Sequence, residues 1–173
     1  DHREWSEEIK DSKVKVDEPY IFCYFLGTNM DARKAANELK AKTGLKIITL
    51  RHMDEYVPED ESFGDEAPYD VNPNDFLAYI KNARYVLTDS FHCSAFSIQF
   101  HKQFMTFYRF AQGCATGRNS RIDSLFNVLG VNREHIYNGD VMKVEAPLDW
   151  DVIDERLKKL REESVEFLAQ SLN

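Results

Sequence analysis

The sequence has few residues that interrupt or cross-link a fold, and no apolar run long enough to cross a bilayer. Its 173 residues include only seven glycines, five prolines and three cysteines. The cysteines, Cys23, Cys93 and Cys114, are odd in number and widely separated, so they indicate neither a disulfide framework nor a pair of metal ligands. A reducing compartment is the simplest interpretation. Without about 20 consecutive apolar residues, no transmembrane helix is predicted.

Several motifs that identify common enzyme classes are also missing. No G-x-G-x-x-G follows the first predicted strand and no G-x-x-x-x-G-K-[ST] occurs anywhere, which weakens the dinucleotide-binding and P-loop hypotheses. His92 and His101 are nine residues apart and fall on opposite sides of a helix, so a zinc pair is not predicted. Asp89, Ser90 and His92 do not form a hydrolase triad, because no nucleophile-elbow motif is present. We expect neither a metal nor a bound cofactor.

The charge is unevenly distributed along the chain. The net charge is −8, and nine acidic residues lie in the segment 54–75, which contains no Lys or Arg and is called the acidic segment below. Without these nine of the 30 acidic residues, the remaining 21 nearly balance the 22 Lys and Arg residues. Such a balance argues against nucleic acid or an anionic membrane as a partner. Because it contains Tyr56, Phe63 and Tyr69, the acidic segment could contact a sugar, but a solvated loop is the favoured interpretation.

What is present is an alternation of apolar strands and amphipathic helices. Continuous apolar runs predict strands covered on both faces. A helix with Ala32, Ala35, Ala36 and Leu39 on one face ends at Gly44, and Asn72-Pro73 begins the next helix. This alternation predicts an α/β fold with a doubly wound parallel sheet, whose strand order the sequence does not reveal. The predicted strands are 20–26, 46–50, 85–88 and 104–108.

Further along the chain, residues 91–102 form a short helix that is apolar nearly all round. A loop containing Gly113 and Gly117 leads to Ser120-Arg121-Ile122-Asp123, which predicts a capping box. We divide the chain into three parts. Residues 1–18 are an entry helix and linker anchored by Trp5 and Ile9, residues 19–148 are a Rossmann-like domain, and residues 149–173 are an amphipathic C-terminal helix. The apolar face of that helix carries Ile153, Leu157, Leu160 and Leu168.

Polar residues follow each predicted strand at the edge where parallel sheets bind ligands. Gly27-Thr28-Asn29 follows the first strand, Arg51-His52 the second, and Thr88 to His92 the third. Arg109 follows the fourth strand, and Arg118 and Arg121 lie in the loop beyond it. Hydroxyl groups, histidines and arginines on one rim predict a site for a small anion.

His92 is the sharpest candidate on this rim. Ser90 has the character of an N-cap, and His92 falls in the first turn of a buried helix, where free N–H groups attract anions. There a histidine can donate a proton to a departing phosphate. A helix cap beside a structural histidine is an equally good interpretation. Arg109 and Arg121 could each bind a carboxylate or phosphate with two hydrogen bonds, although an exposed arginine is more often simply solvated.

Together these residues resemble the polysaccharide pyruvyl transferase family. The resemblance rests mainly on the run from Asn72 to His92, continues through Ala95-Phe96-Ser97-Ile98, and covers about Pro19 to Gly130. The opening strand to Gly27, Arg109 and Asn119-Ser120-Arg121-Ile122 are also similar to the family. Family members usually have glycine after the histidine, where this chain has Cys93.

The resemblance implies a particular architecture and donor site. Proteins of this family resemble two-domain GT-B glycosyltransferases, so the chain is identified as the C-terminal, donor-binding half and its N-terminal domain as missing. His92 matches the histidine that binds phosphoenolpyruvate, and Ser90 and Phe91 match the two residues before it. The expected donor-binding set also includes Gly27, Thr28, Asn29, Arg109 and Arg121.

The implied reaction transfers pyruvate from phosphoenolpyruvate to a sugar as a ketal, with release of phosphate. The acceptor is expected to be a sugar or lipid-linked oligosaccharide of exopolysaccharide and cell-envelope biosynthesis. The expected location is the cytoplasm, with peripheral association at the inner face of the membrane as an option. Two alternatives stay open. One is a GT-B-like nucleotide-sugar glycosyltransferase, and the other is a non-catalytic module that binds an anion or sugar.

Overall fold

The fold is built on a parallel sheet of four strands. The computed structural model describes Trp5, Glu7 and residues 9–51, 56–110 and 118–172. His52, Gly113, Cys114 and Gly117, named above, lie outside these residues. The strands have the order β2-β1-β3-β4, and all neighbouring pairs are parallel, as predicted. They are β1 (Tyr20–Tyr24), β2 (Lys46–Leu50), β3 (Tyr85–Thr88) and β4 (Gln103–Thr106).

Helices alternate with the strands, which confirms the predicted α/β organisation. Short 3-10 turns at Ile9–Asp11, Pro58–Glu61, Arg133–His135 and Val141–Glu145 complete the described part. In that part, no helix has the length and apolar character needed to cross a membrane. The helices are α1 (Met30–Thr43), α2 (Pro73–Asn82), α3 (Phe91–Gln99), α4 (Ser120–Leu129) and α5 (Trp150–Ser171).

The two faces of the sheet carry separate apolar layers. Along β1, Tyr20 and Phe22 pack with α2, α3 and α4, whereas Ile21 and Cys23 pack with α1 on the other face. This alternation follows from the two-residue period of a strand. All four residues are fully buried, as expected for a parallel strand covered on both sides.

Most predicted helix ends are confirmed by the backbone. The Asn72 side chain accepts the N–H of Asp75, and Pro73 is the first residue of α2. Gly44, which ends α1, has φ of 72°, a conformation that glycine adopts without steric cost. However, α3 ends at Gln99, three residues before the predicted end. Strand β1 likewise ends at Tyr24 rather than Leu26, because the next N–H groups bond to a side chain, as described below.

The predicted capping box at the start of α4 is wrong. Ser120 is the first helical residue, and Asn119, which precedes it, makes no side-chain cap. The Asn119 amide instead donates to the carbonyl oxygen of Phe110 at 2.7 Å. The Asp123 carboxylate accepts hydrogen bonds from Tyr108 and Arg133 rather than from the helix N-terminus. The box therefore fails for two reasons: Ser120 lies inside the helix rather than before it, and tertiary contacts occupy the Asp123 carboxylate.

The acidic segment is only partly solvated. Asp60 is buried in an ion pair with Arg33, and Phe63 is 6% exposed. Asp65 accepts the N–H of Ile47 at 2.8 Å and so fixes the segment to the edge strand β2. By contrast, Tyr56 and Tyr69 are 73% and 84% exposed. The favoured interpretation of a solvated loop therefore fails for the buried part of the segment.

The entry segment and the start of α5 pack on the domain between them. Ser12 Oγ and Lys13 N donate to the Asp75 carboxylate at 2.7 and 2.9 Å. In α5, Ile153 is buried, whereas Leu160 and Leu168 are exposed, so the predicted apolar face is covered only near the start of the helix. The division at residues 18 and 148 stays a prediction.

Candidate functional site

The strand order places a topological switch point between β1 and β3. The chain moves from β1 to β2 on one side and then crosses to β3 on the other, so the connections leave these two strands in opposite directions. Ligands of open parallel sheets bind in the crevice outside such a point, at the carboxyl ends of the strands. The polar residues after β1, β3 and β4 are therefore in the expected place for a site.

Asp89, directly after β3, closes the crevice between β1 and β3. Its carboxylate accepts the backbone N–H groups of Leu26 and Gly27 at 2.7 and 2.8 Å. Burial raises the pKa of Asp89 above its usual value, although these two N–H groups and the guanidinium of Arg109 oppose that shift. Because Asp89 fills the crevice itself, the open space lies to one side of it, between the ends of β3 and β4.

A cavity of about 200 Å³ occupies that space and is called the arginine cavity below. Its walls combine three arginines, one histidine and one carboxylate with apolar side chains, so its fixed charge is positive. A volume of this size is below the range typical of drug-sized ligands and suits a small molecule. The lining residues are Leu26, Asp89, Ser90, Phe91, His92, Phe107, Arg109, Phe110, Arg118, Asn119, Arg121 and Ile122.

The N-terminus of α3 forms one wall of the arginine cavity. Ser90 caps the helix, with its side chain accepting the N–H of Cys93 at 3.4 Å. The backbone N–H groups of Phe91 and His92 precede the first intrahelical bond, and N–H groups at this position attract anions. His92 is exposed at the rim. The predicted cap at Ser90 is confirmed, and the histidine does not belong to the buried core.

Arg109 has a buried donor that points to a binding role. Its Nη2 donates to the backbone oxygen of Asp89 at 3.2 Å and lies 3.6 Å from Oδ1 of the same residue. Its Nε is buried and has no hydrogen-bond partner among the residues that the structure describes. A buried donor without a partner is costly, and an anionic ligand that accepts its hydrogen bond would remove that cost.

Arg121 is held over the cavity by stacking on an aromatic ring. Its guanidinium carbon lies 4.3 Å from the ring centroid of Phe91, within the range of a cation–π contact. Such stacking restricts the side chain and leaves the planar N–H donors able to bind an anion. Phe91 therefore has an identifiable task, which is to position Arg121 next to the N-terminus of α3.

Gly27, Thr28 and Asn29, predicted to bind the donor, do not line the arginine cavity. A Cβ on Gly27 would come within 2.8 Å of Arg109 Cγ and 2.9 Å of Asp89 Oδ2, so the close approach that requires glycine here is to these side chains. Thr28 is exposed. Asn29 caps α1 by accepting the N–H of Asp31 at 2.9 Å.

Sequence reasoning missed the roles of Asp89 and Arg33. Arg33 is 3% exposed and pairs with Asp60, and its Nη1 donates to the carbonyl oxygen of Gly27 at 3.1 Å. This pair holds the β1–α1 loop against the acidic segment. The sequence contained one signal for this ion pair. Arg33 lies beside the buried alanines of α1, and an excess of acidic residues that could pair with it occurs elsewhere in the chain.

A second, larger space adjoins the arginine cavity and is called the aromatic cavity below. It has a volume of about 540 Å³ and lies at the carboxyl ends of β1 and β2. Arg51, predicted to share a rim with the other arginines, lines this cavity instead. Leu26 lines both spaces. The lining residues are Tyr24, Leu26, Leu50, Arg51, Ala67, Pro68, Tyr69, Val71, Asn72, Pro73 and Phe76.

A comparison with protein families finds one match. The sequence profile described as "Polysaccharide pyruvyl transferase" matches residues 2–109, which is more than half of the chain. The match includes Asp89, His92 and Arg109 but ends before Arg118 and Arg121. None of the curated proteins is similar enough in sequence to count as a match.

Solved structures with a similar fold include two UDP-GlcNAc 2-epimerases. The enzyme from Methanocaldococcus jannaschii superposes with a TM-score of 0.52 at 15% identity, over 82% of this chain and 40% of that one. The enzyme from Neisseria meningitidis, bound to UDP-GlcNAc, gives a TM-score of 0.52 at 10% identity, over 96% and 45%. The chain therefore spans less than half of each epimerase. The predicted Rossmann-like, GT-B-like fold is confirmed.

Proposed function

This chain belongs to the polysaccharide pyruvyl transferase family, a family of transferases, and we propose that its arginine cavity binds phosphoenolpyruvate as the donor. The single observation that carries this proposal is the orphaned Nε of Arg109, in a cavity that two further arginines and a helix N-terminus also line. Phosphoenolpyruvate carries a carboxylate and a phosphate, which match these cationic groups.

The cavity residues divide the work of binding the donor. Arg109 and Arg121 bind the carboxylate and phosphate through their planar N–H donors. Ser90 and Phe91 act indirectly, because one caps α3 and the other stacks on Arg121. His92, at the rim, is the group proposed to bind the phosphate and to carry the proton. Gly27 and Asn29 support the site through Asp89, Arg109 and α1, whereas Thr28 is exposed and is assigned no role.

The reaction follows from the chemistry of an enol phosphate. A proton adds to the methylene carbon, which becomes a methyl group, and positive charge develops at the neighbouring carbon. A sugar hydroxyl attacks that carbon, the C–O bond to phosphate breaks, and a second hydroxyl closes the ketal. The two hydroxyl protons balance the proton gained by carbon and the proton carried away by phosphate. Fixed cationic groups around the departing phosphate lower the barrier to this step.

The acceptor and the location belong to the same proposal. We infer that the acceptor is a sugar of a polysaccharide or of its lipid-linked precursor, as in exopolysaccharide and cell-envelope synthesis. A second domain of the same protein, preceding this one, would close the cleft over the donor. We place the reaction in the cytoplasm, peripheral to the inner face of the membrane when the acceptor is lipid-linked. No metal or bound cofactor takes part in the proposed steps.

A second candidate function is supported by one specific observation. Two proteins of similar fold are UDP-GlcNAc 2-epimerases, and one of them holds UDP-GlcNAc. A nucleotide-sugar glycosyltransferase could use the aromatic cavity for its base. The arginine cavity, at about 200 Å³, is small for a nucleotide sugar, and this favours the smaller donor.

Ligand-dependent thermal stability tests the proposal. At a phosphoenolpyruvate concentration of about 100 times Kd, the unfolding midpoint should rise by about 5–10 °C. Both Arg109→Lys and His92→Ala should lose most of this shift. Arg84→Lys and His101→Ala, outside the cavity, are the matched controls and should keep it.

Other ligands decide between the alternatives. If a UDP-sugar raises the midpoint and phosphoenolpyruvate does not, pyruvyl transfer is contradicted and the glycosyltransferase is favoured. If phosphoenolpyruvate protects the full-length protein but is not turned over with any acceptor, the domain is a binding module that has lost its chemistry.

A further inference from the structure

The aromatic cavity has the character of a binding site that neither the donor nor the fold requires. Tyr24 and Phe76 form its floor, with ring centroids 5.0 Å apart at an interplanar angle of 67°. Tyr69 lies at its edge and is 84% exposed, although a tyrosine of this exposure loses the benefit of burying its ring. A cavity of about 540 Å³ falls within the range of small-molecule sites.

Several polar side chains of this cavity are exposed to solvent. Arg51 and Asn72 are exposed and offer hydrogen-bond donors, and Tyr69 adds a hydroxyl group. A pyranose ring has the complementary pattern, because its C–H bonds point from the ring faces and its hydroxyl groups from the ring edge. Aromatic rings below and hydrogen-bonding groups around the edge suit such a ligand.

The surrounding charge distinguishes the two cavities. The aromatic cavity is bordered by the acidic segment, in which Asp70 and Glu66 are exposed. Glu66 is paired with Lys46 at 2.8 Å, and Arg51 is the charged side chain in the cavity wall, so the surroundings are close to neutral. The arginine cavity has three arginines and one carboxylate in its wall, and this larger excess of positive charge favours an anion there. The anionic donor is therefore drawn to the arginine cavity, whereas a neutral sugar can occupy the aromatic cavity.

The two cavities share Leu26, so ligands in them would meet across one side chain. We propose that the aromatic cavity binds a neutral pyranose ring of the acceptor and directs its hydroxyl groups past Leu26 to the donor. This inference rests on the proposed function, since the arginine cavity is taken to hold phosphoenolpyruvate. Tyr69 is assigned as the residue that stacks on the sugar.

Chemical-shift mapping on the isotope-labelled chain tests the inference. The probes are methyl pyranosides of glucose, galactose and mannose, with glycerol as a polyol control. At least one pyranoside should shift the signals of Tyr24, Tyr69 and Phe76, with a Kd on the order of millimolar. Glycerol should not.

Two tyrosines of the acidic segment provide matched variants. Tyr69→Ala should weaken pyranoside binding about tenfold, because a stacked aromatic contact is lost. Tyr56→Ala should leave binding unchanged, since Tyr56 is similarly exposed but does not line the cavity. Tyr69→Phe keeps the ring and should retain most of the affinity. Both positions are exposed, so none of these variants should unfold the chain.

The same samples are then titrated with phosphoenolpyruvate, which keeps the two hypotheses separate. Signals of His92 and Arg109 report on the donor, and those of Tyr69 and Phe76 report on the sugar. If no pyranoside shifts the aromatic signals, or if Tyr69→Ala binds as tightly as Tyr56→Ala, the acceptor inference is overturned even when the donor binds. If UDP shifts them instead, the cavity is a base-stacking site.

Discussion

The Asp89 carboxylate accepts two consecutive backbone N–H groups, from Leu26 and Gly27, and lies 3.6 Å from the guanidinium of Arg109. One side chain thus joins the loop after β1 to the arginine of the cavity. Gly27 is required at this junction, because a Cβ there would collide with both Asp89 and Arg109. Leu26 is held by the same carboxylate, and it lines both cavities.

His135, unlike the exposed His92, is a buried histidine that lies outside the proposed site. It is fully buried, with Nδ1 2.6 Å from the carbonyl oxygen of Phe104 and Nε2 3.1 Å from that of Ala146. Burial lowers the pKa of His135 below its usual value of 6.5, although the two carbonyl groups oppose that shift. The native state therefore takes up a proton less readily than the unfolded chain does.

From this we predict a pH-dependent loss of stability on the acid side. Above pH 6.5, both states carry a neutral His135. As the pH falls below 6.5, the unfolded state gains a proton first, so the free energy of unfolding decreases. His135→Asn should be less stable than the wild type at neutral pH but should lose less stability between pH 7 and 5. Urea unfolding at a series of pH values measures both effects. The control is His101→Asn, because His101 is partly exposed. An unchanged pH slope in His135→Asn would contradict the assignment.

At the scale of elements, helices that look alike in sequence begin in different ways. The Ser90 side chain caps α3, and the backbone of Ser90 is itself fixed by Thr88 Oγ1 at 3.0 Å. At α4, Asn119 is used to hold Phe110, and Ser120 lies inside the helix without a capping role. A serine near the start of a helix therefore stabilises the helix as an N-cap only when the serine backbone lies outside the first turn.

The two serines give a matched pair of substitutions. Ser90→Ala should lower the free energy of unfolding by about 1 kcal/mol, since it removes the N-cap. Ser120→Ala should change it by less than about 0.5 kcal/mol, because alanine is favourable inside a helix and no cap is lost. Denaturant unfolding of both variants measures the difference. Equal losses would mean that the sequence motif at Ser120 forms in solution.

On the scale of the whole molecule, α5 packs on the rest of the domain only through its first half. Ile153 is buried and Leu157 is partly covered, but every residue from 158 to 172 is exposed. Val165, Phe167, Leu168 and Leu172 leave an apolar surface on the last turns, with exposures from 58% to 85%. The packing that stabilises this helix lies in its first half, where Leu157 and Leu160 border a groove against α4.

We therefore expect removal of residues 162–173 to change the free energy of unfolding by less than about 0.5 kcal/mol. Ile153→Ala, in contrast, should lower it by about 2–5 kcal/mol, because it leaves a cavity in the core. Urea unfolding of the truncated chain, the variant and the wild type at matched concentration tests this. A loss of several kcal/mol on truncation would show that the exposed half is buried in solution.

The sequence by itself determined the class of fold and most of the elements. Apolar runs, amphipathic spacing, the cap at Asn72 and the glycine at position 44 are local signals, and local backbone preferences decide them. The same was true of Ser90 as the cap of α3. The donor role of His92 and the division of the chain into domains stay predictions.

Tertiary structure decided the strand order, the shape of the two cavities and the partners of the polar side chains. The sequence predicted that Arg51 shares a site with Arg109 and that Gly27 contacts a ligand. The order β2-β1-β3-β4 instead puts Arg51 in a separate cavity, and Gly27 lies against Asp89. The tertiary structure also pairs Arg33 with Asp60, and it gives the Asn119 side chain a partner outside α4. These outcomes depend on contacts between residues far apart in the chain. A buried polar group bonds to whichever partner the packing brings within reach, and sequence spacing does not contain that information.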